Sequence, residues 1–395
     1  MSASAYQAHP PNWPEKEPYG TADVREDLWP RGDNSRVLEL ELSPRDEELG
    51  RTWIRDTYVN CFVVDGTPVY VATGTTRPAG RPGPAPWNDG IFVWIADSLD
   101  GPWRLVDTTG IRPGADKGKV WSPEFAGENG PGRTVVAPWQ EYWRDEEGKR
   151  GNVWAPEVHY FRGSWYVVAC TGDHSRKVGT FLLKSEGGVE GPYRVAEGNL
   201  DKPFGDLVGD APPGVDPEVY FHIDGGLYAE GDNAWLVLHN DLHARFQDDM
   251  EDIVEKTDLP EFQQTRYSEE PYLEGAHVLK HEGKYYLVHA AWSRESGRDR
   301  YAYALKGKQY QYDAIIAVSD AFEGPYSKRW TAGVGAGHNN LFVDADGGLW
   351  ATFFRNPAAG YWADHPRIED SAVPGVVRME WTGPERDRIY VQRRK

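Results

Sequence analysis

The chain has two cysteines in 395 residues, Cys61 and Cys170. That is too few for a disulfide framework, and they lie at no metal-ligand spacing. Both fall in strand-like runs, where buried free thiols are expected. No apolar run approaches the roughly 20 residues that cross a bilayer as a helix. Positive charge is also in deficit, with 43 Lys and Arg against 62 Asp and Glu and a formal net charge of −19. Such a chain repels phosphate backbones and anionic lipid, so nucleic acid and membrane surfaces are poor partners and a neutral or cationic ligand fits better. The first residues, Met1 to Pro11, show neither the basic start nor the apolar core of a secretory signal, and a cytoplasmic location is expected from them.

What is present is aromatic and turn-rich: 17 Trp and 21 Tyr suit short strands and sugar-stacking surfaces, and 43 Gly and 29 Pro supply the turns. One phrase recurs. Leu273-Glu274-Gly275-Ala276-His277-Val278-Leu279-Lys280-His281 opens with an acid and alternates; Glu282-Gly283-Lys284 turns; Tyr285 to Ala290 returns as the second arm of a hairpin. Similar phrases start at Asp56 (turning at Asp65-Gly66), at Glu157, at Asp216 (turning at Asp224-Gly225-Gly226) and at His338, where histidine replaces the acid. After a longer first interval the spacing is about 60 residues, the period of propeller blades rather than helical repeats. The expected fold is an all-β, five-bladed β-propeller, each blade a four-stranded antiparallel sheet, spanning 51–395. Residues 1–50, Pro-rich and charged, read as an arm packed on the surface. The Thr75 to Trp87 and Asp107 to Arg150 segments lengthen the first unit and are expected to rim a pocket. The acidic Phe246 to Lys256 segment reads as a hairpin edge or short surface helix that serves solvation.

In a propeller the first strand of each blade lines the central channel, so residues that open these strands converge at one mouth. Asp56, Asp216 and Glu274 would then meet among Trp and Tyr side chains. An acid to protonate a leaving oxygen and a base to activate water are the equipment of glycoside hydrolysis, and a third carboxylate can raise the acid's pKa by like-charge repulsion. Each acid alone could merely cap a turn; recurrence at matched positions favours a site. Glu157 matches by position, with blade anchoring as its alternative. His338 is a candidate for a water-coordinated ion at the axis, or a satisfied core histidine. Two other patterns fail: His239-Asn240-Asp241-Leu242-His243 lacks the glutamate of zinc proteases, and Asp344-Ala345-Asp346-Gly347 is too short for a calcium loop and reads as a hairpin turn.

At Arg55-Asp56, Trp154-Ala155-Pro156-Glu157, Val215-Asp216-Pro217, Leu273-Glu274-Gly275 and Gly337-His338-Asn339 the sequence resembles glycoside hydrolase family 43, inverting arabinofuranosidases, xylosidases and arabinanases on five-bladed propellers. Thr57 and Ala276 stand where the family commonly has proline, and Glu157 where it usually has aspartate, features of an outlying branch. The resemblance implies Asp56 as general base, Asp216 as pKa modulator, Glu274 as general acid and His338 as the axial histidine, near which such enzymes often carry calcium. No redox or nucleotide cofactor is implied. Trp87, Trp154 and Trp292 are candidates for the sugar platform, with core packing as the alternative; Arg294 and Arg355 are candidates for contacts to hydroxyls or a carboxylate, with ordinary surface placement as theirs. The expected substrate is a plant or algal oligosaccharide. A non-catalytic carbohydrate-binding propeller, a protein-interaction propeller and a related glycosidase acting on galactosidic or uronic-acid-containing glycans are the rival readings.

Overall fold

The computed structural model describes residues 38–44, 52, 54–76, 90–111, 116–122, 153–171, 179–200, 204, 224–238, 243–254, 273–294, 310–327, 330–333, 337–354, 374–382 and 388–392. The chain is an all-β, five-bladed propeller. Blade one comprises Ile54–Val64, Thr67–Thr76, Trp94–Ala96 and Arg104–Leu105; blade two, Val153–Phe161, Ser164–Thr171, Thr180–Gly188 and Gly191–Val195. Blade three shows Gly226–Glu230, Asn233–Val237 and His243–Arg245, three strands among the described residues. Blade four comprises Leu273–His281, Lys284–Arg294, Tyr310–Ser319 and Trp330–Gly333. Blade five runs Leu341–Val343, Leu349–Phe354 and Pro374–Thr382, and Arg388–Val391 pairs with the last of these. All these pairings are antiparallel.

The inner hairpins turn where the sequence places acid-glycine or basic-glycine pairs. Asp65-Gly66, Arg162-Gly163 and Glu282-Gly283 all have positive φ at both residues, the geometry of two-residue turns that match strand twist. The third copy is shifted from its expected register. Asp224-Gly225-Gly226, expected as a turn, instead begins the inner strand of blade three; the hairpin turns at Gly231-Asp232, and Asn233–Val237 returns. Two acid-glycine turn signals, Asp224-Gly225 and Glu230-Gly231, lie six residues apart here, and local pattern cannot choose between them. Residues 205–223, including Asp216, lie outside the described residues.

Among the described residues five apolar clusters hold the ring, one between each pair of consecutive blades. Val71, Trp121, Val158 and Phe181 join blades one and two; Val168, Leu182, Leu236 and Phe246 join two and three. Val237, Val278, Leu287 and Phe322 join three and four, and Tyr286, Ile316, Leu341 and Val377 join four and five. The last cluster closes the ring, packing Val59 and Trp94 of blade one on Phe342 and Val376 of blade five. Leu40 and Leu42 are buried in that same cluster. Leu38 and Glu39 pair with Val376 and Gly375, and Leu42 bridges to Trp103 in blade one. The part of the N-terminal arm that is described thus ties the last blade to the first and is buried between them.

The segment following blade three is also a clasp. Phe246 bridges to Ile253, a hairpin edge as expected. Its acid Glu251, however, binds Lys184 and Arg194 of blade two, so this segment locks two blades together instead of serving solvation. His243 is buried against Phe322, and burial pushes its pKa down to about 4, so it is a neutral core residue at ordinary pH. Cys170 is buried and Cys61 half-buried, both free.

Candidate active site

The site is built by one backbone device repeated around the channel. In blades one, two and four the inner hairpin carries a bulge, between Arg55 and Tyr58, Trp154 and Glu157, and Glu274 and His277. The residue that follows the first of each pair has left-handed φ: Asp56 at 51°, Ala155 at 44° and Gly275 at 62°. Asp224 at 58° and His338 at 57° hold the corresponding places ahead of the inner strands of blades three and five. Such bulges re-aim a side chain and recur beside active sites. Asp, His and Gly are among the residues that tolerate this conformation best; Ala155 is the strained exception.

Three residues later each strand buries an aliphatic side chain, Val59, Val158, Leu227, Val278 and Leu341. This register shows that the five expected openers are not equivalent. Asp56, Ala155, Asp224, Gly275 and His338 form one ring. Glu274 precedes that ring by one residue, at the place of Arg55 and Trp154, and Glu157 follows it by two. The extra bulge residue breaks the period of two, which is why alternation alone misaligned them.

The ring brings two carboxylates and one imidazole together. Nδ1 of His338 lies 3.8 Å from Oδ1 of Asp56 and 3.7 Å from Oδ2 of Asp224, within ion-pair reach of both. Side-chain exposure is 13% for Asp56 and 6% for Asp224. Each acid has a donor from a second strand. The Thr75 hydroxyl donates to Oδ2 of Asp56 at 2.6 Å, and the Cys170 thiol donates to Oδ1 of Asp224 at 3.0 Å. Thr75 pairs with Arg55 and Cys170 with Trp154, so the two donors occupy the same post in successive blades. Burial, then the Asp224 charge, pushes the Cys170 thiol well above its usual range, so it remains a protonated donor.

Below this ring runs a second one that stitches blades. Oε2 of Glu157 accepts from the Leu227 amide at 3.3 Å and lies 2.9 Å from Nε2 of His159. Burial holds the His277 pKa below its ordinary value; the neutral ring donates from Nε2 to the Leu341 carbonyl at 2.9 Å. Asn340 closes the circle: its Oδ1 accepts from the Val59 amide at 3.2 Å and its Nδ2 donates to the Val59 carbonyl at 2.7 Å. Glu157 belongs to this anchoring layer, the alternative its sequence position left open. Burial and then the nearby Glu157 charge raise the Tyr58 hydroxyl well above its usual range, so it too is neutral.

The two rings line an open cleft, with Asp56, Ala155, Gly275 and His338 along it. A Cβ built on Gly275 would lie 3.6 Å from the His338 ring. That is an ordinary contact, so the glycine serves its left-handed φ of 62°, and the backbone next to Glu274 lies beside the imidazole. The Glu274 backbone pairs with Ala290; its side chain, and those of Trp292 and Arg294 in the returning strand, lie outside the described residues. So do Asp216, Trp87 and Arg355. Trp154 is half-buried, one residue before Ala155. Asp224 was missed by sequence reasoning. Its signal was present in the alternation of Gly226 to Glu230 after it and the second acid-glycine turn beyond.

For a metal, the ring offers little. Among the described residues no three His, Cys, Asp or Glu side chains cluster at metal-binding spacing.

The model for Glycosyl hydrolases family 43 matches residues 133–383, more than half of the chain. No curated protein matches the sequence. Among solved structures, a thermostable family-43 glycoside hydrolase superposes with a TM-score of 0.52 at 18% identity, covering 87% of this chain and 94% of that one. An endo-1,4-beta-xylanase from Bacteroides thetaiotaomicron gives 0.50 at 18%, covering 87% and 95%. A xylan beta-1,4-xylosidase from Bacillus halodurans gives 0.50 at 14%, covering 91% of this chain and 56% of that one. At these identities the structural likeness speaks for the fold.

Proposed function

The chain belongs to glycosyl hydrolases family 43, and we propose that it cleaves a terminal arabinofuranosyl or xylosyl residue from plant oligosaccharides with inversion at the anomeric carbon. The observation that carries this reading is the meeting of Asp56 and Asp224 at His338, with Glu274 one residue from the Gly275 backbone that packs beside the same imidazole. Inversion needs a base that takes a proton from water on one face of the sugar while an acid protonates the leaving oxygen on the other. Asp56, held by Thr75 with its other oxygen toward the cleft residues, is the base. Glu274 is the acid. Asp224 takes the modulator role that the resemblance gave to Asp216, because Asp224 occupies the bulge ring and its negative charge disfavours ionisation of a neighbouring carboxyl.

The test is hydrolysis of 4-nitrophenyl α-L-arabinofuranoside and β-D-xylopyranoside, and of the matching oligosaccharides, by the wild type, Asp56→Asn, Asp224→Asn and Glu274→Gln. Each substitution is expected to lower kcat by at least about 10²-fold with the fold intact. Retention of most activity by Asp56→Asn or Glu274→Gln overturns the assignment. Proton NMR of the first anomer released tests inversion; a retained anomer would require a nucleophile. An axial calcium with His338 as its protein ligand, its shell of about six to eight donors otherwise filled by water oxygens, belongs to the same proposal. Removal by EDTA and add-back of calcium, read as the thermal midpoint, checks it.

A further inference from the structure

We infer that Thr75 is a positioning residue for the base, selecting which oxygen of Asp56 accepts the proton. The inference rests on the reading of Asp56 as general base given above. A threonine hydroxyl has one proton and two acceptor lone pairs, and its rotor ordinarily turns to suit its neighbours. Here the rotor has little choice. The backbone N–H of Ala155 donates to Oγ1 of Thr75 at 2.8 Å, which fills one acceptor lone pair and turns the hydroxyl proton away from that side. The single proton is then directed to the other close partner, Oδ2 of Asp56, at 2.6 Å. That is the length of a charge-assisted O–H···O bond.

The consequence is asymmetry within one carboxylate. Oδ2 is engaged by Thr75, while Oδ1 lies toward His338, a residue that lines the cleft with Asp56. A carboxylate that turned freely about its last torsion would present either oxygen, since that torsion is broad and nearly two-fold. General-base catalysis depends on the accepting lone pair meeting the water in a fixed direction. Thr75 supplies that direction, and it is itself fixed from two sides. Its own strand pairs Thr75 with Arg55, immediately before Asp56, and the Ala155 amide belongs to the bulge of the next blade. The base is thereby referenced to two blades at once. Cys170 at the same post in blade two also donates to a ring carboxylate, in its case Asp224 of the next blade.

Thr75→Val keeps the shape and removes the hydroxyl, whereas Thr75→Ser keeps the hydroxyl and removes a methyl group. Kinetics on 4-nitrophenyl α-L-arabinofuranoside and β-D-xylopyranoside are expected to show kcat reduced about 10²-fold in Thr75→Val, with KM within about threefold, and restored to within about threefold of wild type in Thr75→Ser. A merely structural role would not give a loss confined to kcat that serine repairs. A folded Thr75→Val variant with wild-type kcat, or a loss that Thr75→Ser does not restore, overturns the inference. Asp56→Asn run alongside separates the two claims: if it remains active, the base assignment has failed; if it is inactive while Thr75→Val is unimpaired, only the role of Thr75 has failed. Crystal structures of the wild type and Thr75→Val decide the geometry independently of any substrate. The Asp56 carboxylate is expected to rotate or to split between two orientations in the variant, and one unchanged orientation overturns the inference.

Discussion

Replacing Glu251 by glutamine tests whether the clasp between blades two and three is electrostatic. Oε2 of Glu251 accepts from Arg194 at 2.8 Å and from the Glu197 amide at 3.1 Å; Oε1 accepts from Arg194 at 2.5 Å and from Lys184 at 2.8 Å. Burial alone would raise the carboxyl pKa. The hydrogen bonds from Arg194, then Lys184, then the Glu197 amide outweigh it and bring the value from 4.5 down to about 2. A folded pKa below the unfolded one stabilises the fold above the unfolded value, and this contribution fades as pH falls through the folded one. The full shift would correspond to about 3 kcal/mol. Solvent screening at this half-open edge reduces the expected contribution to about 1–2 kcal/mol. Urea unfolding followed by tryptophan fluorescence should show Glu251→Gln less stable by that amount at pH 7. The gap should narrow as pH falls from about 4.5 to about 2, as the wild-type advantage is titrated away. A difference that stays constant across this range would refute the charge argument and assign the loss to packing.

Two further substitutions probe the ring. Asn340→Leu strands the buried amide and carbonyl of Val59 and breaks the polar tie between the last blade and the first; a loss of about 3 kcal/mol is expected in the same urea assay, and a loss below about 1 kcal/mol would mean that the apolar cluster closes the ring unaided. Gly226→Ala places a Cβ 2.0 Å from the backbone carbonyl of Ala276. No rotamer relieves that clash, so blades three and four must separate, and loss of cooperative folding is expected by circular dichroism. Gly231→Ala in the turn of the same blade meets open space and costs only its positive φ, about 1 kcal/mol, and so serves as control.

Hairpin repetition, blade count and chemical class were legible in the sequence because they depend on local signals. Asp65-Gly66 and Glu282-Gly283 fix their turns through φ, and alternation around them fixes which residues face inward within each arm. Asp56 and His338 were legible for the same reason, since each stands where its inner strand begins. Tertiary structure alone decided the register between blades. A bulge adds one residue without a sequence mark, so it took the backbone to show that Gly275 matches Asp56 and that Glu157 lies a layer deeper. The burial of Leu40 and Leu42 in the closing seam likewise follows from the meeting of first and last blades, a contact across more than 300 residues. The site itself is of this second kind. Asp56, Asp224 and His338 come from three blades, and no local pattern brings them together. Closure of the ring does, because it leaves these residues of left-handed φ facing one axis.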